Sequence, residues 1–267
     1  IRDSSDGSRV WTKRAGGNQS DWGRSCTVGT DGSVYLGGFS NSSFDGQTNA
    51  GKYDALIIKY KPDGTKVWTR LTGGVEDEIG WALTTGADGS IYLTGRTKST
   101  TLDGQTSSGG EDAFITKYAP DGTKVWTRLV GGSGNEVGKA IATGNDGGIY
   151  VTGDTNSPTI DGKPVGGGQD GFTAKYTPDG AREWVRLLGG AGVEEGYGVA
   201  ASSDGSLYAS GSSGSTNLAG QEYPVSGGSP GASFDGQTPV GAQDAFITKL
   251  VPGSSQSDTF HFFEVAS

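Results

Sequence analysis

The sequence predicts an all-β chain made of repeated four-stranded antiparallel units, and three observations predict it. DALIIKYKPDGTKVWTR at 54, DAFITKYAPDGTKVWTR at 112, DGFTAKYTPDGAREWVR at 170 and DAFITKLVPG at 244 are copies of one segment, with Asp54, Asp112 and Asp170 each 58 residues apart. Trp11, Trp68, Trp126 and Trp184 form a second series, at intervals of 57, 58 and 58 residues. Apolar residues alternate with period two between glycine-rich turns, glycine supplies 50 of the 267 residues, and no stretch has the 3.6-residue period of a helix.

Within one unit the elements follow in order. GKAIATGNDGGIYVTGDT reads as two strands joined by a turn, and its counterparts turn at Asp31-Gly32, Asp88-Gly89 and Asp204-Gly205, where Asp-Gly suits a hairpin that demands positive φ. DAFITKYAP and TKVWTRL read as third and fourth strands joined by Pro-Asp-Gly, itself a turn signature. In the third strand, Phe114, Thr116 and Tyr118 alternate with Ile115 and Lys117, which predicts opposite characters on its two faces.

Four-stranded units of this period, rich in glycine and aromatics, predict the blades of a β-propeller, with sheets packed face to face around a channel. The chain is then one domain over residues 1–267, with units at about 14–71, 72–129, 130–188 and 189–253 and a tail at 254–267. The expected count is four blades, with residues 1–13 supplying the outer strand of the last. In the alternative, SDTFHFFEVAS supplies that strand and the chain belongs to a larger propeller.

The segment DAFITKYAPDGTKVWTRLVGGSGNEVGKAIATGNDGGIYVTG resembles the bacterial SBBP-type β-propeller repeat, and the similarity runs along nearly the whole chain. The resemblance implies a large exported or surface-associated protein without assigned chemistry, hence a secreted or cell-surface location. It also implies seven blades, from which four units depart. The absence of Met fits a trimmed form of an exported precursor or a cloning boundary.

Composition removes several function classes. The net charge is −9 and the basic residues are dispersed, so nucleic acid is not an expected partner. Apolar runs are too short for a membrane span, and no membrane insertion is expected. A single cysteine, Cys26, excludes an intrachain disulfide, and its apolar setting predicts a buried small residue. His261 is the one histidine, so no Ser-His-Asp arrangement can be assembled with repeated parts.

Two series of polar residues are candidate sites. Asp21, Glu78, Glu136 and Glu194 each follow a Gly-Gly and open the first strand of a unit. They read either as a cation site, with calcium the expected ion, or as acceptors of hydrogen bonds from a neighbouring blade's backbone that lock adjacent blades together; recurrence in every unit favours the second reading. The motifs FDGQT, LDGQT, IDGKP and FDGQT place Asp45, Gln47, Asp103, Gln105, Asp161, Asp235 and Gln237 in loops suited to sugar hydroxyls, or simply to turns. An enlarged segment before the fourth copy adds Tyr223 as an aromatic platform.

The repeated tryptophans are expected to pack between sheets, whereas Trp22 and Trp81 break the repeat and stand where a ligand can meet them. Taken together, these features predict a non-catalytic binding or structural module, with a polysaccharide or a protein as partner and no required cofactor. Two alternatives stand beside it. One is a carbohydrate hydrolase or lyase using acids such as Glu76 with Glu78 or Glu194 with Glu195, and the other is a subunit of a larger surface assembly, so that oligomers form.

Overall fold

The computed structural model describes residues 2–3, 6–190, 192–214 and 243–250. Every regular element among them is a strand, so no described helix is long and apolar enough to cross a membrane. The fold is all-β, built from antiparallel sheets of up to four strands.

A short hairpin comes first, β1 (Arg2–Asp3) with β2 (Arg9–Trp11). The first sheet then runs β3 (Asp21–Val28), β4 (Val34–Ser40), β5 (Asp54–Tyr60) and β6 (Lys66–Thr72), in that spatial order. The second repeats the plan with β7 (Glu78–Thr85), β8 (Ile91–Thr97), β11 (Asp112–Tyr118) and β12 (Lys124–Val130), interrupted by the mini-hairpin β9 (Thr101–Leu102) and β10 (Gln105–Thr106).

The third sheet holds β13 (Glu136–Thr143), β14 (Ile149–Thr155), β17 (Asp170–Tyr176) and β18 (Arg182–Leu188), again with a mini-hairpin, β15 (Thr159–Ile160) and β16 (Lys163–Pro164). The fourth has β19 (Glu194–Ala201), β20 (Leu207–Ser213) and β21 (Asp244–Leu250). It contains three strands among the described residues, while β2 pairs with β1; the expected pairing of the N-terminal strand with the last sheet is not among the described ladders. The tail proposed as its alternative lies outside the described residues.

The chain forms two compact units, one of residues 1–107 with 114–128 and the other of 108–113 with 129–267. In the first, β7 packs against β3, β4 and β5, and the core gathers Tyr35, Leu56, Ile58, Leu93 and Phe114. In the second, β19 packs against β13, β14 and β17, with Val151, Phe172 and Val185 fully buried.

Repetition reaches the side chains. Each second-strand tyrosine is flanked by a fourth-strand tryptophan: Tyr35 with Trp68 at 5.9 Å, Tyr92 with Trp126 at 6.0 Å and Tyr150 with Trp184 at 6.2 Å between centroids. The Trp68 indole N–H donates to the Pro120 carbonyl at 3.2 Å, and the Arg70 guanidinium donates to the Gly122 carbonyl at 2.6 Å. Trp11 repeats the first contact on Pro62. The turn of one sheet is thus held by the outer strand of the sheet before it, which is the packing role expected of this series.

Gly122 is required in that contact. Its φ is +85°, and a Cβ there would lie 2.9 Å from the Trp68 ring.

Two expectations are corrected. The opposite characters of the two faces in the third strands do not extend to exposure: β5 is buried along its whole length, because β7 packs on the sheet that contains it, and Lys59 is only 8% exposed. Its ammonium reaches the Asp31 carboxylate and the Pro120 carbonyl, both at 3.2 Å. Cys26 is exposed rather than buried, since it lies on β3, an edge strand with little cover along its length.

The turns between first and second strands also differ in detail from expectation. Gly32, Gly89, Gly147 and Gly205 have positive φ but the preceding Asp residues do not, and each Gly N–H bonds back three residues, as in a type I turn closed by a glycine. Positive φ at both central residues occurs instead in the other Asp-Gly series, at Asp45-Gly46, Asp103-Gly104 and Asp161-Gly162.

Candidate functional site

The acids that open the first strands, Glu78, Glu136 and Glu194 buried and Asp21 half-buried, hold hydrogen bonds that fasten the strand ends. The Glu78 carboxylate accepts from the Gly74 N–H at 2.6 Å and the Thr97 hydroxyl at 2.5 Å; Glu136 accepts from Gly132 at 2.7 Å and from Thr155 and Ser157 at 2.5 Å. Glu194 accepts from Gly190 at 2.7 Å and Ser213 at 3.0 Å, and Asp21 from Gly17 at 3.0 Å and Ser40 at 2.5 Å. Each acid ties the Gly-Gly turn before its strand to the end of the neighbouring strand. The donors come from the turn that leads into the strand and from the strand's own sheet, not from a neighbouring blade as the second reading of this series expected. Among the described residues no group of three or more His, Cys, Asp or Glu stands together as a metal site.

A second row of buried acids, used above only to align the repeat, opens the third strands. Asp54 accepts from the Ala50 N–H at 2.9 Å, Asp112 from Ser108 at 2.8 Å and Asp170 from Gly166 at 2.8 Å. Burial raises the pKa of Asp54 and Glu78, each against hydrogen bonds that oppose the shift, and burial pushes Asp170 up to about 6. A period-58 acid that begins a strand was visible in the sequence, but its burial was not.

The Asp-Gly-Gln loops are clamps on the outer strands. Asp45 binds the Lys66 ammonium at 2.5 Å and the Thr69 hydroxyl at 2.6 Å, Asp103 binds Lys124 and Thr127 at 2.6 Å, and Asp161 binds Arg182 at 2.6 Å. Gln47 and Gln105 are half-buried on the same small hairpins. Asp235, Gln237, Tyr223 and His261 lie outside the described residues.

The adjacent acids considered for hydrolysis diverge. Glu76 pairs with Lys52 at 2.5 Å while Glu78 is buried, and Glu194 is buried while Glu195 turns to Lys139.

The chemistry that varies from copy to copy sits at a β-bulge. In all four first strands the ladder slips by one residue just after the Gly, so that Arg24, Trp81, Lys139 and Tyr197 have no partner across the ladder. A bulge re-aims the side chain it frees, and bulges concentrate near functional sites.

In the first unit the freed Arg24 places its Cζ 4.4 Å from the centroid of the Trp81 ring and 5.4 Å from that of Phe39. Trp22, directly across the ladder from Phe39, stacks on it at 6.0 Å with 16° between planes, and Phe39 meets Tyr53 edge-on at 5.3 Å. Trp22 remains 55% exposed and Arg24 is exposed. Among the described residues no carboxylate pairs with Arg24, and the shielded Trp81 indole N–H has no acceptor.

In the second unit the same positions carry a closed polar network. The Lys139 ammonium lies 4.4 Å from the Tyr197 centroid, 2.5 Å from Asp154 and 3.0 Å from Glu195. Gln169 donates to both acids at 2.9 and 3.2 Å, and the Tyr197 hydroxyl donates to Glu195. Burial raises the pKa of Asp154 even beside Lys139, whereas Glu195 is lowered, first by the Tyr197 hydroxyl. Sequence reading found Trp22 and Trp81 but missed Arg24, Phe39 and the Lys139 network, because a bulge leaves no mark in a period-two pattern.

Two segments of the chain, residues 125–158 and 183–219, match the family model described as SBBP, beta-propeller repeat. Those two segments are similar to the SBBP β-propeller repeat. These SBBP matches begin within one fourth strand and run through the next second strand, so each spans a bulge.

Across 189 residues the chain is 29% identical to the regulatory protein FlaEY of Caulobacter vibrioides, a match that takes in 65% of this chain and 20% of that protein. The chain therefore spans only 20% of the length of that relative. A solved structure of a protein of unknown function from Bacteroides caccae aligns with a TM-score of 0.42 and 9% identity, over 77% of this chain and 61% of that one.

Proposed function

We propose that the chain is a non-catalytic binding module of a secreted or surface-displayed protein, and that its ligand is a carbohydrate met by the aromatic end of the first sheet. The observation that carries this reading is the exposed Trp22 indole, stacked on Phe39 beside Arg24 and Trp81. A flat, half-exposed indole held by a second ring is a ready platform for the apolar face of a sugar, and little side-chain entropy is lost when it binds.

The expected Asp-Gly-Gln loops are the poorer candidate, since Asp45, Asp103 and Asp161 are already paired with cations of their own sheets.

The test is a saccharide panel read by intrinsic tryptophan fluorescence and calorimetry. Binding by the native chain is expected to be lost in Trp22→Ala and retained in the double variant Gln47→Ala/Gln105→Ala. The opposite pattern would return the site to the loops, and uptake that fails to saturate would dismiss a binding module.

A further inference from the structure

We infer that the site on the first unit selects an acidic saccharide, one whose pyranose rings carry carboxylates, and that Arg24 is the residue that makes the selection. The inference rests on the carbohydrate-binding reading above and adds the class of ligand.

The argument begins with how the two bulge cations are used. Lys139 occupies the position of Arg24 one hundred and fifteen residues later, two repeats on, and is neutralised there by Asp154 and Glu195. Arg24 has Phe39 in the place of Asp154, because Phe39 and Asp154 are the corresponding second-strand residues, and Ile79 stands in the place of Glu195. The acids that satisfy the cation in one unit are thus replaced by apolar side chains in the other, and among the described residues Arg24 has no carboxylate partner.

Geometry then fixes what an added partner must look like. The exposed Arg24 guanidinium, its Cζ 4.4 Å from the Trp81 centroid, carries a fork of N–H donors that matches a carboxylate with two parallel hydrogen bonds. Beside it, the outer face of Trp22 offers an apolar plate rather than a hydrogen-bonding groove. A ligand that satisfies both has a ring with an apolar face and a carboxylate at its rim, which is the description of a uronic acid residue in a chain. A nucleic acid fits poorly, because one cation against a net charge of −9 gives little phosphate attraction. An acidic peptide is the competitor that the test must separate.

The experiment compares three probes on the intact chain: an oligouronate, the same oligosaccharide with its carboxyls reduced to alcohols, and a peptide rich in Pro and Glu. The oligouronate is expected to bind saturably, and the reduced form to bind at least tenfold more weakly. Arg24→Gln should abolish that difference while leaving the weak binding in place; Trp22→Ala should abolish both. Trp22 and Arg24 are exposed, so these variants are expected to fold, and near-ultraviolet circular dichroism checks that they do.

Equal binding of acidic and reduced saccharide, with Trp22 still required, would overturn the inference and leave the carbohydrate reading standing. Retention of the preference in Arg24→Gln would overturn the assignment of Arg24. Binding of the peptide in place of both sugars, or of no probe at all, would overturn the inference together with the reading beneath it.

Discussion

Asp170 opens β17 with its carboxylate buried, accepting the N–H groups of Gly166 and Gly167 at 2.8 and 3.2 Å. Burial is the first cause of its raised pKa, and the charge of Glu194 adds to it. An acid whose folded pKa is raised from 3.8 to about 6 is penalised in the folded state above pH 6, and the penalty is gone below the unfolded value. The shift corresponds to at most about 3 kcal/mol. Asp170→Asn keeps one acceptor and removes the charge, so it is expected to gain roughly 1 kcal/mol at pH 7.5 and to lose that advantage at pH 4. Urea midpoints at the two pH values decide this, and an offset independent of pH would sink it. Gly122 gives a second prediction of the same scale. With φ at +85° and Trp68 in the space of a Cβ, Gly122→Ala is expected to cost about 2 kcal/mol, measured by chemical unfolding.

At the scale of elements, the bulged first strands set the surface chemistry of each unit. Lys139 holds Asp154, which is 8% exposed, and also Glu195, and it covers the Tyr197 ring. Lys139→Met would leave a buried acid without its cation, an arrangement that costs about 3 kcal/mol where it has been created. Thermal unfolding should show this loss at pH 7 and a smaller one at acidic pH, since burial raises the pKa of Asp154 and the acid takes up a proton more readily than a free one; equal losses would mean that packing, not charge, holds the network. The strands themselves were legible, because DAFITKY and KVWTRLV carry both the period of two and the bounding turns. The mini-hairpins at Asp103-Gly104 and Asp161-Gly162 were legible only as turns, and their use as clamps was not, since Lys124 and Arg182 lie twenty-one residues away from their acids. The bulge was hidden for a different reason. It inserts one unpaired residue, and a one-residue slip beside a glycine leaves alternation too short to read.

Over the whole chain, two populations of acids respond to pH in opposite directions. Asp54, Glu78, Asp154 and Asp170 are raised by burial, so the penalty each carries at neutral pH fades as pH falls through its raised value, about 6 for Asp170. Asp31, Asp63, Asp121 and Asp204 are lowered, first by the backbone N–H of Ser33, Thr65, Thr123 and Ser206, and their contribution is lost only as pH falls below about 4. The expected profile of stability is a dome with its top on the acidic side of neutrality, near pH 5. A urea midpoint that climbed steadily from pH 5 to pH 8 would contradict it. Repeat type and all-β class were readable because every unit restates them, while of the site only Trp22 and Trp81 were, since Arg24 and Phe39 gain their part from a bulge and a cross-strand pairing that alternation does not reveal.

Departures between units have room to accumulate. The residue at each bulge has no partner across the ladder, so replacing it leaves the strand register untouched. Duplication of a unit therefore copies the frame and lets the bulge side chain diverge, and randomising the codons of the two exposed ones, Arg24 and Tyr197, would turn this chain into a library of surfaces sharing one scaffold.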